Sequence, residues 1–142
     1  MAAEAFFLDS NGWVVLLNSR ETLHAPANEI WQQLGRVRRP ILLTDWIVAE
    51  TGNSLARTTS RPRFREAVRR LLATPDARVI LVSAALRARA LDLYTDRPDK
   101  TWGLVDCASF IVMGDAGVTE AFTTDRHFEP AGFKCLLPGA AE

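Results

Sequence analysis

Short apolar runs of strand length alternate with longer segments of helical periodicity, and this alternation restricts the possible folds more than any other feature of the chain. The runs at residues 5–8 and 121–124 each end at an acidic residue, Asp9 and Asp125 respectively. Strands that alternate with helices predict right-handed crossovers and a parallel sheet. The sequence therefore predicts an α/β fold.

Periodicity, proline positions and capping residues predict the individual elements. Strands are expected at about residues 4–9, 41–43, 79–82 and 120–124, and residues 134–137 add a fifth strand at the sheet edge. Helices are expected at about residues 13–18, 26–37, 45–57, 63–73, 84–94 and 104–113. Thr44 and Ser83 are predicted to cap two of these helices. The continuous apolar run Val79–Val82 predicts a buried parallel strand.

Length and composition predict one domain covering residues 1–142, because 142 residues that are 48% apolar can build a single core. No run approaches the roughly 20 apolar residues of a membrane span. The N-terminus lacks the basic region of a signal peptide, so a cytoplasmic location is expected. Cys107 and Cys135 lie in apolar segments without metal-ligand spacing, which predicts two buried thiols.

Two further acids join Asp9 and Asp125 as candidate metal ligands. Glu50 lies on a predicted helix opposite its apolar face, and Asp106 interrupts a helix that is apolar nearly all round, where an unpaired carboxylate is costly. Ligands of open parallel sheets bind outside the carboxyl ends of the strands. The four acids are therefore predicted to line one oxygen-rich pocket, of the kind that Mg²⁺ or Mn²⁺ prefers.

Each acid also has a structural interpretation. Asp9 could open a turn at residues 10–12, and Asp125 could do the same after its own strand. Glu50 could be a solvated helical acid, and Asp106 could be an acid that the helix dipole favours in a first turn. Four such separate roles explain the joint pattern poorly. If the acids do converge, crowding should raise the pKa of at least one of them without metal.

Arginine is concentrated in the middle of the chain. Ten arginines lie between Arg57 and Arg97 against four acids, although the formal net charge of the whole chain is zero. A basic flank beside an acidic centre suits a polyanionic substrate that is cut at a metal. The solvated faces of amphipathic helices are the alternative explanation.

Four stretches resemble the successive acidic motifs of the PIN-domain ribonucleases, in particular the small VapC-like toxins of bacterial toxin–antitoxin pairs. They are FFLDSN (6–11), TDWIVAET (44–51), DKTWGLVDCASFIVM (99–113) and AFTTDRHFEPAGF (121–133). The resemblance implies a PIN-like three-layer α/β/α fold with a central parallel sheet of four to five strands. It also implies Mg²⁺- or Mn²⁺-dependent RNA hydrolysis, a homodimer, and inhibition by a small antitoxin protein that covers the acidic groove.

The resemblance extends to single residues. The four family acids match Asp9, Glu50, Asp106 and Asp125. The three aspartates are interpreted as direct or water-mediated ligands, and Glu50 either as a further ligand or as the group that positions the attacking water. Supporting positions match a further acid, a polar residue and a hydroxyl, namely Asp99, Asn11 and Thr123. The chain departs from the family at Gly103, where Ser is common, and this weakens the expected cap of the last helix.

Other interpretations stay open at this point. His127 neighbours Asp125 and is a candidate general base, but a structural histidine is favoured because metal-assisted hydrolysis does not need it. A receiver-like phosphoacceptor domain would need adjacent acids after the first strand and a lysine after a late strand, whereas the chain has only Lys100 and Lys134. A catalytically idle PIN-fold module that binds RNA or protein is the second alternative.

Overall fold

The computed structural model describes residues 3–139, and its elements follow the predicted alternation of strands and helices. The strands are β1 (Phe6–Leu8), β2 (Ile41–Thr44), β3 (Ala77–Ile80), β4 (Glu120–Phe122) and β5 (Lys134–Cys135). The helices are α1 (Ser10–Leu17), α2 (His24–Arg36), α3 (Asp45–Leu55), α4 (Phe64–Ala73), α5 (Ala84–Asp96) and α6 (Leu104–Ala116). The predicted domain bounds of 1–142 include residues 1, 2 and 140–142, which lie outside the described residues.

The five strands form one parallel sheet in the order β3-β2-β1-β4-β5. This confirms the predicted α/β class and the parallel sheet. Helices α1 to α4 contact one another, and α5 packs on α6. With right-handed crossovers, these two groups cover opposite faces of the sheet and give three layers. The strand order reverses between β1 and β4, so the carboxyl ends of these two strands form the topological switch point where open α/β sheets bind ligands.

The predicted caps follow from local sequence. Thr44 Oγ1 accepts a hydrogen bond from the Ile47 backbone N–H at 3.3 Å, and Ser83 Oγ accepts one from the Leu86 backbone N–H at 3.1 Å. Pro26 lies in the first turn of α2, as its fixed φ and missing N–H favour. Gly117 ends α6 in the left-handed conformation with φ 67°, which glycine adopts without strain.

The turn at residues 10–12, which the alternative interpretation of Asp9 required, is not formed, because α1 begins at Ser10 immediately after β1. Asp9 is the N-cap residue of this helix, although its side chain makes no capping hydrogen bond. Gly12 allows the helix to start there. A Cβ atom at Gly12 would lie 2.1 Å from the Phe122 carbonyl oxygen, so a larger residue would push α1 away from β4.

The buried strand expected at 79–82 is also wrong. The strand runs from Ala77 to Ile80 at one edge of the sheet, and none of its residues is fully buried. Leu81, which follows it, is 74% exposed. An uninterrupted apolar run indicates a central strand only when elements cover both faces, and the strand order places this one at the border.

The core contains the apolar residues of β1, β2 and β4 together with the inner faces of the helices. Cys107 is fully buried as predicted, but Cys135 is only partly buried, because β5 is the other edge strand. Among residues 3–139, no helix is long and apolar enough to cross a membrane.

Candidate active site

At the switch point, Asp9 and Asp125 both form a hydrogen bond with the hydroxyl group of one threonine. Asp9 follows β1 and is only 1% exposed, and Asp125 follows β4 by three residues. Thr123 is fully buried between them. Its Oγ1 donates a hydrogen bond to Asp9 Oδ2 at 2.7 Å and accepts one from the Asp125 backbone N–H at 3.0 Å. Thr123, predicted only as a supporting position, therefore holds the ends of two neighbouring strands together.

Glu50 reaches the same region from α3. Ile47, Thr51 and Leu55 are the buried residues of this helix, so the opposite face carries Glu50. The Ser10 hydroxyl donates a hydrogen bond to Glu50 Oε1. Ser10 is the residue after Asp9, and this contact therefore joins α3 to the start of α1 beside the first acid.

Asp106 combines a structural contact with a position in the acidic cluster. It lies in the first turn of α6, and its Oδ2 accepts a hydrogen bond from the Gly103 backbone N–H at 3.0 Å. Gly103 has no side chain with which to cap the helix, so this contact from Asp106 is the cap that remains. Ligand atoms of Asp106, Asp125 and His127 lie within 4.8 Å of one another. The structural interpretation and the metal-site interpretation of Asp106 are compatible.

His127 connects the cluster to a neighbouring loop. Its Nδ1 lies 3.1 Å from Asp125 Oδ1, and its Nε2 lies 3.1 Å from Thr101 Oγ1. The His127 backbone N–H also donates to Asp125 Oδ1 at 2.9 Å. The ring therefore orients the Asp125 carboxylate, which agrees with the structural role favoured from the sequence, and it also belongs to the cluster.

Burial and mutual repulsion act on these acids in the same direction. Burial is the main cause that raises the pKa of Asp9 from 3.8 to about 7, the Thr123 hydrogen bond opposes it, and the charges of Asp106, Glu50 and Asp125 add to it. Burial also raises the pKa of Asp106, with contributions from Asp125 and Glu50. The expectation of a raised pKa is confirmed, but desolvation contributes more than the predicted crowding.

No cation balances this charge among residues 3–139. None of the four carboxylates forms an ion pair with a lysine or arginine, and His127 is the only basic side chain in contact with the group. A buried carboxylate without a positive counter-charge is costly. The donors are oxygen atoms and one imidazole, which suits a hard divalent ion such as Mg²⁺ or Mn²⁺.

Two predicted supporting residues have other surroundings. The carboxylate of Asp99 accepts two hydrogen bonds from Arg97, both at 3.0 Å, on the surface of the loop before α6. The Asn11 side chain is exposed on α1. The sequence interpretation also missed Ser10 and Thr101. Ser10 follows Asp9, and Thr101 lies in the third motif between Asp99 and Asp106. Their partners lie 40 and 26 residues away, so the pairings appear only in the tertiary structure.

Comparison with known proteins places this geometry in context. A PIN-domain family model matches residues 6–134. The chain is 27% identical over 133 residues to the 23S rRNA-specific endonuclease VapC20 of Mycobacterium tuberculosis, in both strain CDC 1551 and strain H37Rv, covering 93% of this chain and 98% of that protein. The crystal structure of M. tuberculosis VapC20, described as a sarcin–ricin loop cleaving toxin, superposes with a TM-score of 0.81 at 25% identity, covering 94% of this chain and 100% of the other.

Proposed function

The chain belongs to the PIN-domain family, and from this premise we propose that it is a metal-dependent endoribonuclease, the toxin of a bacterial toxin–antitoxin pair. It hydrolyses RNA phosphodiester bonds. The chain forms one nuclease domain. The observation that carries this proposal is the convergence of Asp9, Glu50, Asp106 and Asp125 at the carboxyl ends of β1 and β4, where no lysine or arginine of residues 3–139 forms an ion pair with them.

Each acid has a distinct task in this proposal. Asp9, Asp106 and Asp125 hold Mg²⁺ or Mn²⁺, and Glu50 is either a further ligand or the group that orients the attacking water. A bound divalent ion supplies an activated water and offsets the negative charge on the phosphate. Ser10 donates a hydrogen bond to the Glu50 carboxylate, and Thr123 donates one to Asp9. These two hydroxyls limit the rotation of the acids and so preorganise the site.

The names of the similar proteins indicate which RNA to test first. VapC20 is a 23S rRNA-specific endonuclease and is described as cleaving the sarcin–ricin loop. We propose ribosomal RNA as the substrate class of this chain and the cytoplasm, where ribosomes lie, as its place of action. The alignment covers nearly all of both proteins, so the region that binds substrate in the relative has a counterpart here.

The proposed partners are a second copy of the chain and a small antitoxin that covers the acidic groove. Large apolar side chains are exposed on α4, after β3 and on α5, at Leu72, Leu81, Leu91 and Tyr94. Separate exposed apolar side chains are common on protein surfaces, so the proposed dimer rests on the family resemblance and on the preference of homo-oligomers for two-fold symmetry. Light scattering at tens of micromolar protein checks this arrangement, and a monomer would contradict the dimer without affecting the nuclease proposal.

The alternatives predict different results. A receiver-like domain would have the strand order 2-1-3-4-5, which differs from the order found here. A catalytically idle module has the same fold and must be separated by activity. The test incubates the purified chain, with Mg²⁺ or Mn²⁺, with an RNA hairpin of the sarcin–ricin loop and an unstructured RNA of equal length. Cleavage by the parent and none by Asp9→Asn supports the proposal, whereas binding without cleavage by the parent supports the idle module.

A further inference from the structure

The loop of residues 97–103 joins α5 to α6 and is attached to the acidic site at two points. Thr101 Oγ1 lies 3.1 Å from His127 Nε2, and the Gly103 backbone N–H donates a hydrogen bond to Asp106 Oδ2 at 3.0 Å. Two residues of the loop, Thr101 and Gly103, therefore contact residues of the acidic site, namely His127 after β4 and Asp106 in α6. This part of the loop forms one wall of the acidic site.

Trp102, between the two attachment points, forms a rigid base for this wall. It is only 7% exposed, and its ring packs edge-on against Phe110, with centroids 5.1 Å apart at 75°. Phe110 in turn packs against Phe128 and Phe133 in the core. The position of the indole ring is therefore set by the fold and does not depend on the loop alone.

Two cations of the loop lie over this one ring. The Arg97 Cζ atom is 5.2 Å from the ring centroid of Trp102, and Lys100 Nζ is 5.9 Å from it. Both distances are within the range of a cation–π attraction. Contact with the ring restricts long side chains that would otherwise sample many rotamers, so the two charges are held over Trp102.

Only one of the two cations is neutralised. Arg97 donates two hydrogen bonds to Asp99, whereas Lys100 Nζ forms no ion pair or side-chain hydrogen bond with any of residues 3–139. Arg126, although it neighbours Asp125, donates to the Leu137 carbonyl at 2.6 Å and points to the C-terminal segment. The 97–103 loop is therefore a wall of the acidic site that carries, at Lys100, a positive charge without an ion-pair partner among residues 3–139, one residue from the Thr101 contact with His127.

A polyanionic substrate needs such a charge, because four carboxylates repel its phosphates. We propose that the 97–103 loop binds the RNA backbone, with Lys100 on the Trp102 ring contacting a phosphate that flanks the cleaved bond and Arg97 contacting the next one. Asp99 is a positioning residue, since its two hydrogen bonds fix the plane of the Arg97 guanidinium. This inference rests on the proposed nuclease function and gives the loop the task of substrate binding, not of metal binding.

The experiment measures RNA binding by fluorescence anisotropy, with all variants in an Asp9→Asn background so that no cleavage occurs. Lys100→Gln should weaken binding several-fold and lower the slope of log K against log salt by about 0.7 to 0.9, the effect of one lost phosphate contact. Lys134→Gln is the matched control, because Lys134 is the only other lysine and lies at the opposite end of the sheet, 3.8 Å from Glu120. It should leave both quantities unchanged.

Steady-state kinetics in the active protein provides a second readout. Asp99→Asn and Lys100→Gln should raise KM with little change in kcat, and their thermal melting should match the parent. An unchanged salt slope for Lys100→Gln, or a loss of kcat at constant KM, would overturn the inference. Failure of the nuclease proposal would give a different result, because the parent protein itself would then not cleave RNA.

Discussion

Acidic residues at the two ends of the parallel sheet differ in whether a basic side chain pairs with them. At the amino end of β4, Glu120 Oε1 is 2.7 Å from Arg39, and both side chains are largely buried, with 20% and 14% exposure. Arg39 also donates to the Glu4 carbonyl oxygen at 2.7 Å and lies over the Phe6 ring. At the carboxyl end, Asp9, Glu50, Asp106 and Asp125 have no lysine or arginine as an ion-pair partner within the described chain.

Under the proposed function, this difference separates charge that stabilises the fold from charge that binds metal. A largely buried ion pair with satisfied hydrogen bonds is part of the structure, and removal of one partner leaves an uncompensated charge. Buried acids that repel one another reduce stability and are retained where a bound cation compensates them. The comparison predicts opposite effects of mutation at the two ends.

The largest expected effect concerns catalysis at the carboxyl end. Asp9→Asn and Asp106→Asn keep the side-chain shape but remove charge, so each should lower RNA cleavage by more than about 100-fold and abolish any growth toxicity. The free energy of unfolding without metal should be equal or higher. Gel assays of cleavage and urea unfolding measure the two effects.

Asp76→Asn is the control for these variants, because Asp76 precedes β3 at the amino end and should not affect cleavage. If highly purified Asp9→Asn and Asp106→Asn proteins cut RNA at the parent rate, the activity belongs to a contaminant or to other residues. In that case, the acids at the carboxyl end would not be the catalytic residues.

The next prediction concerns pH in metal-free protein. Burial raises the pKa of Asp9 to about 7, so the folded state binds more protons than the unfolded state between about pH 4 and pH 7. This group therefore lowers stability as pH rises through that window, by up to roughly 4 kcal/mol. The gain in unfolding free energy caused by Asp9→Asn should grow over the same window, as measured by urea unfolding in EDTA.

Glu66 provides a control of opposite sign. Hydrogen bonds from Arg69 lower the pKa of Glu66 to about 2, so its contribution to stability is present above pH 4.5 and is lost as pH falls. The destabilisation caused by Glu66→Gln should shrink toward acidic pH. If Asp9→Asn showed the same trend, burial of the Asp9 carboxylate would not be the source of its effect.

At the amino end, Arg39→Met should destabilise the protein by about 3 kcal/mol, because Glu120 then remains half-buried without its main partner. RNA cleavage per folded molecule should not change. Adding Glu120→Gln to Arg39→Met should recover part of the loss, and a double-mutant cycle gives the coupling energy. If Arg39→Met lowered the free energy of unfolding by less than 1 kcal/mol, the ion pair would not be what stabilises this end of the sheet.

The smallest expected effect is the response to metal. Mg²⁺ or Mn²⁺ at 100 times its Kd should raise the free energy of unfolding by about 2.7 kcal/mol through preferential binding to the folded state. Asp9→Asn should lose this response, and Arg39→Met should keep it. Calorimetry that detects no binding at millimolar ion concentration would rule out the metal site.

Much of this architecture follows from local sequence. The alternation of apolar runs and amphipathic segments predicted the parallel sheet, and the hydroxyls of Thr44 and Ser83 predicted two helix starts. The placement of Asp9 and Asp125 at one edge was also predictable, because every strand of a parallel sheet points its carboxyl end the same way. These features depend on residues close together in the chain and on rules common to all α/β folds.

The tertiary structure alone decided which residues pair and how exposed they are. The apolar run 79–82 lies at a border because strand order is a global property, and periodicity does not encode it. Thr123 meets Asp9 across 114 residues, whereas Asp99 binds its near neighbour Arg97. The high pKa of Asp9 arises mainly from complete burial. Contacts between distant segments and desolvation exist only after the chain has packed, so the sequence indicated which acids come together but not what surrounds them.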